Sequence, residues 1–179
     1  MKKHVLFLTL FSFMYFSVSA QADSFQQDII DYLNINGTYE KYDEAYENMF
    51  NVLKPQFEGS NVPESVWNDL KKNREAKVQE IISFLTYAYR KHFTHEEILT
   101  MKAFYETEAG KQYVANPGEL TETQNGEVTA FFKTDLGQKI GAKRPELAQD
   151  IAPIYQDWSK DMFKETLSAL IKLGYTTKY

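Results

Sequence analysis

The chain has 179 residues, 20 Lys plus Arg against 25 Asp plus Glu, no cysteine, and 13 Phe, 12 Tyr and 2 Trp. That length suits one domain with a full-sized apolar core and is short for two. The net charge of −5 argues against nucleic acid as a partner, because phosphate binding rewards clustered Lys and Arg; the lack of cysteine excludes disulfides and thiolate metal sites.

Residues 1–20, MKKHVLFLTLFSFMYFSVSA, place two lysines before an apolar run that ends in small residues, with Val18 and Ala20 where a signal peptidase reads its site. A cleaved signal peptide over 1–20 is expected, and Ala20-Gln21-Ala22 offers a second cleavage point after Ala22. The apolar run is shorter than the roughly 20 residues that span a bilayer, and Ser12, Ser17 and Ser19 interrupt it. No transmembrane segment is expected after cleavage. Loss of Lys2 and Lys3 leaves 18 basic and 25 acidic residues, net −7. Residues 21–179 are expected to form one domain.

In that domain apolar residues return at spacings of three and four, without sustained alternation, so an all-α bundle of about five to seven helices is predicted. Ser24 and Gln27 resemble a capping box opening a helix that carries Phe25, Ile29, Tyr32 and Leu33 and stops at Asn36-Gly37. A second helix from about Tyr39 to Pro55 turns Tyr42, Tyr46, Met49, Phe50 and Leu53 inward, its tyrosines read as core residues with the hydroxyl at the rim. Pro63 opens a long third helix, about Glu64 to Lys91, buried through Val66, Trp67, Leu70, Val78, Ile81, Ile82, Leu85 and Tyr89. Thr94 and Glu97 form another capping box. Pro145 is expected to open a last helix with Leu147, Ile151, Ile154, Tyr155, Trp158, Met162 and Leu170 inward, kinked at Pro153.

Between these helices one phrase occurs twice. FYETEAGKQY (104–113) returns as FFKTDLGQKI (131–140), aligning Phe104 with Phe131, Thr107 with Thr134 and Gly110 with Gly137; Glu119-Leu120 falls on Glu146-Leu147 at the same offset. On continuous helices, Ala103, Thr107, Gly110 and Val114, and then Ala130, Thr134, Gly137 and Gly141, form small-residue stripes. Such stripes let a second helix approach closely, with Phe104-Tyr105 and Phe131-Phe132 as anchors. The competing reading makes Thr107 and Thr134 helix caps, each followed by an acid, where the chain bends.

No catalytic constellation stands out, and no cofactor or metal is expected. His92 and His95, with Glu96 and Glu97 beside them, are the one cluster resembling a metal or acid–base site, but a single-helix zinc pair wants histidines four apart on one face. With Thr94 starting a new helix between them, they are expected to diverge. Ser65, Ser83, Ser159 and Ser168 lack a glycine-flanked elbow. Asn36-Gly37-Thr38 matches a glycosylation sequon but reads as a helix stop and start.

The run from Tyr89 to Tyr113 resembles the signature of the bacterial domain of unknown function 2059 family. The resemblance is carried by Lys91-His92-Phe93-Thr94, Glu96-Glu97, Phe104-Tyr105, Thr107 and Gly110-Lys111. It is weaker through Phe131 to Trp158, giving a family-like core of about 85–160 with the motif near 104–120 and 131–147. YEKYDEAYENMFNVLKPQF and VPESVW are similar to the amino-terminal part of longer members. Small residues or proline commonly follow the motif threonine, where Glu108 and Asp135 stand here. The resemblance implies an exported, helical protein, placed in the periplasm, with no catalytic residues to carry over. The expected role is a non-catalytic binding module whose partner is an envelope protein or cell-wall component; the alternatives are a carrier of an apolar small ligand and, behind it, a hydrolase.

Overall fold

The computed structural model describes residues 23–178, and every regular element among them is helical, as expected from the periodicity. The expected signal segment and both cleavage points lie outside the described residues. Eight α-helical segments follow in order: α1 (Ser24–Ile35), α2 (Thr38–Leu53), α3 (Glu64–Leu70), α4 (Arg74–His92), α5 (His95–Glu106), α6 (Glu108–Ala115), α7 (Glu122–Lys133) and α8 (Asp135–Lys172). With α3 and its 3-10 continuation into α4 taken as one bent rod, there are about seven helices.

The first cap is Asp23, not Ser24: its carboxylate accepts the Gln26 amide at 2.9 Å. Arg90 pairs with the same carboxylate and lies over the Phe25 ring, fixing the cap against α4. Helix α1 stops where Gly37 takes φ 87°, a left-handed conformation that costs glycine little, while the Asn36 side chain accepts the Thr38 amide at 3.0 Å. Tyr42, Tyr46, Met49, Phe50 and Leu53 are all buried on α2.

The long third helix breaks at Lys71–Asn73 into α3 and α4. The bend lets Trp67 pack edge-on between Phe50 and Phe57, while Val78, Ile81, Ile82 and Leu85 stay in the core. It is held by Lys71 on Glu47 and by Arg74 on Asp43 and Glu47. Helix α4 is the central rod, packed against α1, α2 and α8, and α1 lies along α5.

The repeated phrase forms two sharp bends, so the continuous small-residue stripes do not exist. Thr107 ends α5 and caps α6; Thr134 ends α7 and caps α8. Each threonine hydroxyl donates to a carbonyl in the last turn of the helix before it, Phe104 or Phe131, at 2.7 Å, and accepts the glycine amide of the helix after it, Gly110 at 3.0 Å or Gly137 at 3.1 Å. Glu108 and Asp135 take the first-turn positions, where the helix dipole favours an acid. Ala103, Thr107, Ala130, Thr134 and Gly141 face solvent, whereas Gly110 and Gly137 are buried. The close approach at these glycines is to the preceding turn of their own chain. A Cβ on Gly110 would run into the Phe104 carbonyl oxygen and the Tyr105 Cα; one on Gly137 would lie 2.5 Å from the Phe131 oxygen and 2.6 Å from the Phe132 Cα.

Pro145 does not open the last helix. α8 starts ten residues earlier at the Thr134 cap and runs 38 residues, about 57 Å at 1.5 Å per residue, with Pro145 and Pro153 inside it. Each proline removes one helical hydrogen bond; both sit on the exposed side of α8, where water can take up the freed carbonyls.

Candidate functional site

A concavity of about 450 Å³, inside the range of small ligand sites, lies between α4 and α8. Its position follows from α4's two faces. The residues that bury Ile81, Ile82, Leu85 and Tyr89 leave the opposite side of the same helix carrying Phe84 and Tyr87, 46% and 69% exposed. Aromatic surface of that size left in water marks a binding surface more often than a single exposed side chain does. Across from them α8 supplies Ile154, Trp158 and Met162 as the apolar floor.

Trp158 is fixed there, 6% exposed, with its indole N–H donating to the Lys77 carbonyl at 2.9 Å and its ring edge-on to Tyr42. The floor is therefore rigid, which reduces the entropy lost when a ligand settles on it.

The rim is acidic. Lys77, the single basic lining residue, is committed to Glu165 at 2.8 Å and to Glu80 at 3.3 Å. The Glu165 hydrogen bond holds the Lys77 ammonium above its ordinary range. Asp157 and Asp161, one turn apart on α8, line the same groove and have no ion-pair partner among the described residues. Two adjacent carboxylates without a counter-ion beside apolar surface form a field that favours a cation.

The cluster singled out in the sequence is a helix junction. His92 is buried at the end of α4, its Nε2 2.6 Å from Asp150 of α8, with Lys91 on the same carboxylate at 2.8 Å. Those two contacts hold the Asp150 carboxyl below the usual carboxylate range. His95 points the other way, 2.8 Å from Asp28 of α1 and stacked on Phe25. Among the described residues no group of three or more His, Asp or Glu is placed to hold a metal ion. Thr94 and Glu97 form their capping box, Glu97 also gripping Lys139 of α8 at 2.7 Å. Phe93 is core, and Lys111 pairs with Glu108 at the surface.

The resembling motif residues thus build the bends and junctions, and the groove lies elsewhere. Phe84 and Tyr87 could have been found: they are aromatics three apart, off the buried stripe of α4. The pairing of Asp157 and Asp161 with Trp158 follows only from the placement of α8 against α4.

Among the described residues no helix is long and apolar enough to cross a membrane. No curated protein and no solved structure matches the chain. Residues 79–127 and 118–165 each match the family described as "Uncharacterized protein conserved in bacteria (DUF2059)", and together they take in every lining residue of the groove except Lys77. Over residues 79–165 this chain belongs to that bacterial family.

Proposed function

We propose that this is a non-catalytic binding protein of the bacterial envelope, exported to the periplasm, that uses the α4–α8 groove to hold an apolar, positively charged segment of a partner protein. The observation that carries this reading is the combination of exposed Phe84 and Tyr87 with the unpaired Asp157 and Asp161 around one fixed tryptophan. Aromatic anchors supply contact area, and the carboxylates select for Lys or Arg beside it. The hydrophobic leader read in residues 1–20 supports the periplasmic address.

A basic amphipathic peptide built from Leu and Lys tests the reading. In a Trp67→Phe background Trp158 is the one tryptophan left, so its emission reports on the groove. A saturable shift with the Leu–Lys peptide, absent with a Leu–Glu peptide of equal length, is expected. Equal response to both peptides would count against it.

The groove's volume also favours a second reading, a carrier of an apolar small ligand. Native mass spectrometry of protein taken from its own periplasm separates the two: bound mass that organic solvent removes belongs to the carrier.

A further inference from the structure

Helices α4 and α8 run antiparallel, and ion pairs close their seam at both ends. At one end Lys77 of α4 grips Glu165 of α8 at 2.8 Å; at the other His92 and Lys91 of α4 take Asp150 of α8 at 2.6 and 2.8 Å. The tied stretches, 77–92 on α4 and 150–165 on α8, are equal in length, so the two helices keep one register across the seam.

Between those ties the pattern changes. From Val78 to Tyr89, α4 carries no Lys or Arg, while α8 sets Asp157, Asp161 and Glu165 on one ridge at one-turn spacing. Lys77 takes the last of the three, and Asp157 and Asp161 keep no ion-pair partner among the described residues. Lys160 and Lys164 of the same helix do not line the groove. Where α4 could have supplied bases it supplies the exposed rings of Phe84 and Tyr87. The seam therefore leaves two carboxylates and two aromatic rings for a group from outside. Along α8 the lining runs from Ile154 to Glu165, about 16 Å or three helical turns. Both walls are helices, whose backbone donors and acceptors are spent within them. An extended peptide laid on Ile154, Trp158 and Met162 would press backbone N–H and C=O groups against apolar surface without partners. A helix brings its backbone bonds already made.

We infer that the α4–α8 groove takes its partner as an added amphipathic helix of about three turns, apolar toward Phe84, Tyr87, Ile154 and Met162, with two basic residues at i and i+4 set against Asp157 and Asp161. Bases four apart share one face of a helix, and that spacing repeats the spacing of the two acids on α8. Lys77 on Glu165 already shows how a base crosses to this ridge; the partner fills the two positions that α4 leaves open. The inference rests on the groove as the site for a basic, apolar segment, and adds that segment's conformation and the spacing of its charges.

Fluorescein-labelled peptides of Leu, Ala and Lys, each of about 15 residues, test it by anisotropy with the full-length mature protein. The first sets Leu at helical spacing with a Lys pair at i, i+4; the second, of the same composition, alternates Leu and Lys as a strand would; the third is the first with its central Ala changed to Pro. The first should bind about tenfold or more tightly than either of the others and gain helical circular dichroism on binding. Moving its Lys pair to i, i+2, or Asp157→Asn with Asp161→Asn in the protein, should weaken it about tenfold. Equal binding of the helical and alternating peptides, or indifference to the proline or to the Lys spacing, would overturn the helix and leave the groove's preference for basic apolar segments standing. Binding that ignores the two acids, or no binding of any of the three peptides, would overturn both.

Discussion

The rings of Phe104 and Phe131 stack face to face, centroids 3.9 Å apart and planes 3° apart, and they are the same position of the two copies of the phrase. Each is the last residue whose carbonyl is gripped by the following threonine, so the two bends meet through equivalent side chains. Phe132, the counterpart of Tyr105, closes over the same pair, and Ala109 and Val128 complete a small core separate from the main one. The repeat is thus a helix, a threonine-capped bend and a glycine beneath the bend, written twice and packed copy against copy.

The glycines separate close approach from mere smallness. Gly110→Ala and Gly137→Ala should each lower stability by about 1–3 kcal/mol, because the added methyl meets backbone that cannot turn aside. Gly126→Ala and Gly141→Ala, where nothing lies within 4 Å, should raise it by about 0.5–1 kcal/mol through better helix propensity. Thermal unfolding of the four variants checks the contrast, and a uniform response would contradict it.

Removing the caps should show the same twofold character. Thr107→Val and Thr134→Val each delete a hydroxyl that both donates and accepts, and each should cost about 1–2 kcal/mol. A double-mutant cycle on Phe104→Leu and Phe131→Leu, read by urea unfolding, should return a coupling of about 0.5–1.5 kcal/mol.

Much of the scaffold was legible because local rules governed it. Asn36-Gly37 stopped α1, the α2 face was buried residue for residue, and Thr94 with Glu97 formed its box. The small-residue stripes failed because helical spacing assumes a continuous helix, and the threonine hydroxyls of the phrase ended it; the acids after Thr107 and Thr134 were the local sign of that bend. Thr121 and Gln124 form a capping box of the same kind at the start of α7, legible in the sequence as a Thr three residues before a Gln. Pro145 failed as a start signal because the stronger start, Thr134, lies upstream. The candidate groove was the least legible part: α4 read alone gives a buried stripe, and only the placement of α8 turns its other face into a site.

The ion cluster that ties α1 to α5 gives the stability a pH dependence of definite sign. His95 first, then Lys102, hold the Asp28 carboxyl below its ordinary 3.8, and Lys102 does the same to Asp31. These carboxylates stabilise the fold fully above the ordinary value and lose that contribution as pH falls through their lowered folded values. Lys102 is held above its ordinary 10.5 by Asp31, so its contribution is present below that value and is lost as pH rises through the higher folded one. Lys102→Met should cost about 1 kcal/mol at neutral pH and flatten the acid limb of the urea midpoint plotted against pH. An unchanged acid limb would show that the pairing does not matter to folding.

The most direct test of the proposed function is site-specific photocrosslinking in intact cells. A photoreactive residue placed at Tyr87, on the groove rim, should yield a periplasmic adduct whose linked peptide is apolar and carries Lys or Arg. One at Val52, 60% exposed on α2 and outside the groove, should not, and Asp157→Asn with Asp161→Asn should remove the Tyr87 adduct. Adducts of equal yield from both positions, or a Tyr87 adduct indifferent to the two acids, would contradict the assignment of the groove as the binding site.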